Sequence, residues 1–258
     1  MFSTDQMERY SRQILLREVG GVGQKRLLDA CVLVLGAGAM GSLALLYLAG
    51  AGVGSIRLVD DGVVDGARLA LEPLHDAAHI GHAKALSARD GLLARYPDIS
   101  IEAVVEQATP EQIGSLMDGV DLLLDCVGTP LSRRLAAAAG WGCNAAVWSG
   151  GVSGDVGWVV GTNGAAAAPC LNCHESALGA AFKEAGQAEI DWAARAVLSP
   201  MVPGQVGSML AMEALRRLLG LGGETGQVGG VLFRAGAVDF RPIEARKRPG
   251  CPICSEAP

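Results

Sequence analysis

No stretch of about 18 residues in this 258-residue chain stays apolar without a polar or glycine break, so no membrane-spanning helix is expected. The opening "MFSTDQMERYSRQ" has no apolar signal core, and a cytoplasmic location is the expectation that follows. Positive charge is in short supply as well: 21 Lys and Arg face 27 Asp and Glu, for a net charge of −6. A chain of that sign does not gather phosphate contacts along a nucleic acid, so no nucleic-acid partner is expected. Internal repeats are missing too.

Half of the residues are hydrophobic, but 36 glycines interrupt them. The length suits one large α/β domain or two small ones. A polar stretch over 7–19 predicts a short helix, closed by a glycine-rich turn, "GGVGQ". "ACVLVLG" reads as a strand buried on both faces, and "AMGSLALLYLAGAG" as the helix that follows it. "SIRLVDD", "ISIEAVVEQ" and "DLLLDCVG" read as further strands. "IGHAKALSARDGLLARYP", "PEQIGSLMDG" and "PLSRRLAAAAGWG" read as the helices between and after them. Beyond these, "AAVWSGGVSG", "VGWVVG" and "VGGVLFRAGAVDFRPIEA" have strand character, and "VPGQVGSMLAMEALRRLLG" is a long amphipathic helix. The weakly patterned 162–196 is expected to be a crossover loop. The early alternation predicts an α/β fold with a mostly parallel sheet and helices on both faces.

"GAGAMG" sets Gly36, Gly38 and Gly41 in a GxGxxG frame between a strand and a helix, the context that gives the motif meaning. Glycine permits the tight turn, and the helix N-terminus offers free N–H groups to phosphate. Asp60 ends the next strand, where a carboxylate can accept from ribose. These features alone suit an NAD-linked oxidoreductase as well as an ATP site.

Seven cysteines divide into two groups. Cys31, Cys126 and Cys143 sit in apolar sequence and are expected to be reduced core residues. Cys170, Cys173, Cys251 and Cys254 form two CxxC pairs. Two such knuckles suit a tetrahedral Cys₄ zinc site. Four thiolates leave no open position, so the zinc is expected to be structural, tying the crossover segment to the C-terminal tail. His174 is a possible substitute ligand.

Taken in order, these stretches resemble the HesA/MoeB/ThiF family, bacterial relatives of ubiquitin-activating enzymes. "MERYSRQILLREVGGVGQKRL" is similar to the family leader, with its arginine at Arg12. "VLVLGAGAMGS" matches the nucleotide turn, "GVGSIRLVDDGVV" the second strand, and "IGHAKALSARDGLLARYP" the helix whose catalytic lysine is here Lys84. The late helix and the CxxC pairs match as well.

The resemblance implies a single Rossmann-like adenylation domain over 1–258. Its nucleotide-binding half would be 7–150, and its partner-binding half, with crossover and zinc knuckles, 151–258. It also implies ATP and Mg²⁺, with Gly36, Gly38, Ala39, Gly41, Asp60, Lys84 and Asp125 at the nucleotide. The partner would be a small ubiquitin-like or sulfur-carrier protein with a Gly-Gly C-terminus. Its carboxylate would attack the α-phosphate, a step that needs cations and alignment more than a protein nucleophile. Lys84 would serve the phosphates, and Arg12 would reach the nucleotide across a homodimer interface.

Against the family pattern "D-x-D-x-V-x-x-S-N-L-x-R-Q", Asp60 keeps the first acid and Gly62 replaces the second. Arg68 stands for Asn, Leu71 for the catalytic Arg and Glu72 for Gln. Ala39 replaces a glycine of the turn, and Gly128 replaces a magnesium-positioning Asp. Trp192 stands near the place of the cysteine that some relatives use covalently, leaving Cys126 and Cys143, both expected to be buried. Two readings follow. Arg68 replaces the lost arginine, with Asp61, Asp65 or Asp125 serving the metal, or the chain is a binding scaffold that no longer turns over.

Overall fold

The computed structural model describes residues 2–164, 168–184, 200–221, 229–235 and 239–255. Two helices come first, α1 (Thr4–Ile14) and α2 (Gly20–Asp29). Ser3 caps α1 through a reciprocal pairing with Gln6, satisfying donors that the first turn leaves free. The expected "GGVGQ" turn is mostly helix: Gly20 alone takes the left-handed conformation, at φ 57°, and α2 begins there.

The alternating part follows as β1 (Cys31–Leu35), α3 (Ala39–Ala51), β2 (Ser55–Val59), α4 (Lys84–Arg95) and β3 (Ser100–Val104). It continues through α5 (Ile113–Leu116), β4 (Leu122–Asp125), α6 (Pro130–Gly142), β5 (Ala146–Ser153) and β6 (Val156–Thr162). The chain then passes α7 (His174–Glu184), α8 (Met201–Leu218), β7 (Gly229–Arg234) and β8 (Asp239–Glu244). Among the described residues, one sheet takes all eight strands in the order β3-β2-β1-β4-β5-β6-β7-β8. Strands β1 to β5 are parallel and β6 to β8 add antiparallel pairings. The division expected at 150/151 falls inside β5, so the sheet runs through both halves.

On one face α3, α4 and α8 bury Leu45, Leu48, Leu92, Val206 and Leu210 against the sheet. On the other, α6 and α7 bury Ala136, Leu178 and Phe182 with Trp158. No helix among the described residues is long and apolar enough to cross a membrane.

Three local expectations are corrected. The helix read in 110–119 is only α5, a single turn, because Gly114 lies within it and Gly119 at φ 71° ends the segment. The crossover is not all loop, since α7 occupies His174–Glu184. Leu178, Ala181 and Phe182 share one of its faces, and Phe182 meets Trp158 edge-on at 5.4 Å. Of the three core cysteines only Cys126 is buried; Cys31 is partly exposed, and Cys143 is exposed where it caps the end of α6. Trp192 lies outside the described residues.

Helices α3 and α8 meet closely because α8 presents Gly207: a Cβ there would lie 2.2 Å from the Met40 carbonyl oxygen. Gly207→Ala is therefore expected to lower stability by about 1–3 kcal/mol through overpacking. Gly114→Ala, which meets nothing within 4 Å, is expected to be neutral or stabilising by up to about 1 kcal/mol. Urea unfolding of the two variants beside the parent checks the contrast.

Candidate nucleotide site and cysteine cluster

The order of the sheet reverses between β1 and β4, and ligands of open α/β sheets bind outside the carboxyl ends of the strands at such a point. Pairing sets Leu35 beside both Val59 and Asp125, so the chain leaves three neighbouring strands at one level. A cavity of about 330 Å³ opens there. Gly36, Gly38, Ala39, Asp60, Arg68 and Lys84 all line it.

The glycine turn makes the floor. Gly36 takes φ 95°, and a Cβ on Gly41 would lie 2.0 Å from the Gly36 carbonyl oxygen. Gly41 thus lets the first turn of α3 close against β1 and is not itself among the lining residues. Asp60 holds the turn from the side: Oδ2 accepts from Ala37 N at 2.7 Å and Oδ1 from Gly62 N at 2.7 Å. The buried His75, a residue the sequence did not single out, lies with Nε2 2.9 Å from Ala37 O and Nδ1 3.0 Å from Ser87 Oγ.

Lys84 returns to the end of β2 because the intervening loop folds back. Val63 bridges Ala83, Val64 N donates to His82 O at 2.9 Å, and Lys84 N donates to Gly62 O at 2.9 Å. Lys84 is nearly buried, and its Nζ donates to Glu72 Oε1 at 2.7 Å. Arg68 Nε donates to the same oxygen at 2.9 Å. Glu72 is fully buried, and a buried carboxylate of this kind persists only when cations compensate its lost hydration. Leu71, where relatives are expected to carry arginine, is not among the lining residues, whereas Arg68 is.

Other expected site residues stand apart. Asp125 is fully buried and does not line the cavity. Its Oδ2 accepts from Ser149 Oγ at 2.7 Å and its Oδ1 from Val127 N at 3.1 Å. Loss of hydration pushes its carboxyl above the usual range, against the hydrogen bond from Ser149 and the nearby Arg133. Asp125 therefore shapes the 126–128 loop from below. The acids that reach the cavity wall beside Asp60 are Asp61 and Glu106. Glu106 lies two residues beyond the end of β3 and carries no sequence signal. Gly128 takes φ 76°, and a Cβ there would meet Met40 Cε at 2.9 Å. Arg12 is exposed on α1 and does not line this cavity. Cys126 does line it, but burial, and then the adjacent Asp125, hold its thiol far up and protonated, the opposite of an activated nucleophile.

At the other end of the molecule, Cys170, Cys173, Cys251 and Cys254 converge, all four sulfurs within 4.8 Å of one another. Individual Sγ separations are 3.5 Å (Cys173–Cys254), 3.7 Å (Cys170–Cys251) and 4.0 Å (Cys170–Cys173). Tetrahedral zinc with sulfur at about 2.3 Å separates its ligands by about 3.8 Å, so the donor set fits that ion. Asn172 Nδ2 points at Cys251 Sγ at 3.6 Å, and Arg248 N donates to Cys173 Sγ at 3.4 Å. Burial opposes ionisation of Cys251, yet the N–H groups of Cys254 and Ile253, with Asn172, pull its thiol down to about 6. His174 is buried beside the cluster but is not one of the grouped ligands.

The strand order and glycine turn define a Rossmann-type fold of the nucleotide-binding kind. The chain belongs to the ThiF family, whose model matches residues 10–253. It is 34% identical over 255 residues to the molybdopterin-synthase adenylyltransferase of Salmonella typhimurium, covering 98% of each chain. It is 32% identical to the adenylyltransferase and sulfurtransferase UBA4 of Candida glabrata, over 99% of this chain and 59% of that one. Among solved structures, PaaA shares the fold at TM-score 0.77 and 19% identity, over 96% of this chain and 76% of PaaA. E. coli MccB with succinimide does so at TM-score 0.77 and 17% identity, over 95% and 74%.

Metal analysis of the purified protein is expected to find about one zinc per chain. Cys254→Ser should lose the metal and lower Tm, because binding energy at such a site is folding energy. Zinc-free protein with an unchanged Tm would overturn the assignment.

Proposed function

We propose that this chain is an adenylyltransferase, a single adenylation domain that activates the C-terminal carboxylate of a small ubiquitin-like or sulfur-carrier protein ending in Gly-Gly. The observation that carries this reading is the presence of Lys84 and Arg68 on the wall of the cavity that the glycine turn and Asp60 build. The near-full-length similarity to a named adenylyltransferase supports it.

ATP would lie with its ribose toward Asp60 and its phosphates toward the N-terminus of α3, Lys84 and Arg68. The partner's carboxylate oxygen attacks the α-phosphorus. The bond from that phosphorus to the bridging oxygen breaks, and pyrophosphate leaves with the electron pair. Negative charge accumulates on the phosphate oxygens through this step, and two cations facing the cavity lower its energy. Bound Mg²⁺ would screen charge on the triphosphate. Asp61 and Glu106 are placed to hold it, while Asp125 supports the adjoining loop. No thiol of the cavity wall is needed, and Cys126 stays protonated.

Arg68 takes over the part left open by Leu71, entering from three residues earlier with Glu72 behind it. Arg12, exposed on α1, would serve the cavity of a second copy in a homodimer. The cytoplasm would supply the ATP. The alternative of a non-catalytic scaffold draws on Gly128, where the acid of relatives is absent.

Exchange of labelled pyrophosphate into ATP, dependent on Mg²⁺ and on a Gly-Gly-ending carrier, is the test. Lys84→Ala and Arg68→Ala are each expected to lower the rate by about 10²–10³. Leu71→Ala is expected to leave it nearly unchanged. Carrier binding without exchange, and unaffected by Lys84→Ala, would establish the scaffold reading instead.

A further inference from the structure

Glu72 lies behind the cavity wall, not on it. Its side chain is fully buried, and its Oε1 alone receives both Lys84 Nζ at 2.7 Å and Arg68 Nε at 2.9 Å. Its Oε2 is buried with no hydrogen-bond partner among the described residues. A Cβ on Gly38 would lie 3.6 Å from Oε1, so the carboxylate sits directly beneath the glycine turn. The two cations that face the cavity therefore already share one anion.

That arrangement cannot be neutral toward a phosphate ligand. A carboxylate holds the cations in place while the cavity is without phosphate, and it cancels part of the field they direct into it. The two cations are held unequally. Lys84 is 10% exposed at its side chain and enclosed, whereas Arg68 is 44% exposed and free to turn outward. An incoming phosphate oxygen would draw Arg68 from Glu72 first. When pyrophosphate departs, Glu72 is in position to take both cations back.

We propose that Glu72 is a positioning residue that acts as a resident counter-anion. It competes with phosphate oxygens for Arg68 and Lys84, weakening triphosphate binding and easing the release of pyrophosphate. This rests on the phosphate-site assignment made in the adenylyltransferase reading. A glutamine at this position would keep the shape and remove the competing charge.

The test is calorimetric titration of wild-type protein and Glu72→Gln with pyrophosphate and with Mg-ATP, no carrier present. Glu72→Gln is expected to bind pyrophosphate about tenfold more tightly or better. In the exchange assay its KM for ATP should fall while kcat does not rise, a split that a purely structural role would not give. Equal or weaker binding by folded Glu72→Gln would overturn the proposal, as would failure of both proteins to bind pyrophosphate. A wild-type structure with pyrophosphate bound gives a second readout that needs no variant. Arg68 should leave Glu72 for the ligand, and an Arg68–Glu72 bond that persists would overturn the idea. Wild-type protein that binds pyrophosphate but shows no exchange with any Gly-Gly carrier would sink the adenylyltransferase reading while leaving that of Glu72 standing.

Discussion

A side chain on residue 41 would stand 2.0 Å from the carbonyl oxygen of Gly36, closer than any two such atoms can come. The parallel half of the sheet is built around that approach. Because α3 can begin directly against the end of β1, its first turn lies at the sheet surface, where the order of strands reverses. Asp60 then reaches across from β2 and accepts from Ala37 N, and His75 lies against the carbonyl of the same residue. Two separate segments thus hold the two peptide groups that flank Ala37. The cavity is the space left above that gripped turn, and its shape follows from backbone that cannot retreat.

Electrostatics adds a second constraint on the same spot. A lysine and an arginine facing one small cavity repel each other, and a nearly buried lysine loses hydration. Glu72 meets both difficulties with one oxygen. The cost is a fully buried carboxylate whose second oxygen has no donor among the described residues, and such a group is kept only where its cations hold it. Arg68 and Glu72 are one i,i+4 pair, so the two residues act as a single structural unit. One turn of chain thus supplies both the exposed cation and the buried anion behind it.

Much of the frame was legible because burial on both faces leaves near-continuous apolar runs, and "CVLVL", "LLLD" and the glycine turn admit few other readings. Asp60, read from the end of a strand, and Lys84, read from the resemblance to the family's lysine-bearing helix, both line the cavity. What lay hidden were facts of direction and distance. Asp125 ends an apolar strand, and an acid there reads alike whether it faces a cavity or the core. Glu72 and His75 sit in an irregular segment where no period says which side chains turn inward. Cys143 follows an alanine-rich helix, and apolar neighbours in sequence did not make it a buried residue. Helix α7 escaped because its inward face is small and mixed with alanine.

The cysteine cluster extends the same logic to the far side of the sheet. Seventy-seven residues separate Cys173 from Cys251 in sequence, yet their sulfurs belong to one group within 4.8 Å. Cys170 and Cys173 lead directly into α7, which packs Phe182 on Trp158 of β6. Cys251 and Cys254 follow β8, the outermost antiparallel strand. An edge strand has unpaired backbone on one side and little to hold it. Drawing the chain beyond it back to the start of α7 fixes both ends of the antiparallel extension to each other. The parallel half is held by its glycine turn and buried carboxylates, and the antiparallel half by four thiols. A shared strand, β5, joins these two forms of restraint, which is why the molecule carries its candidate nucleotide cavity and its cysteine cluster on one continuous sheet.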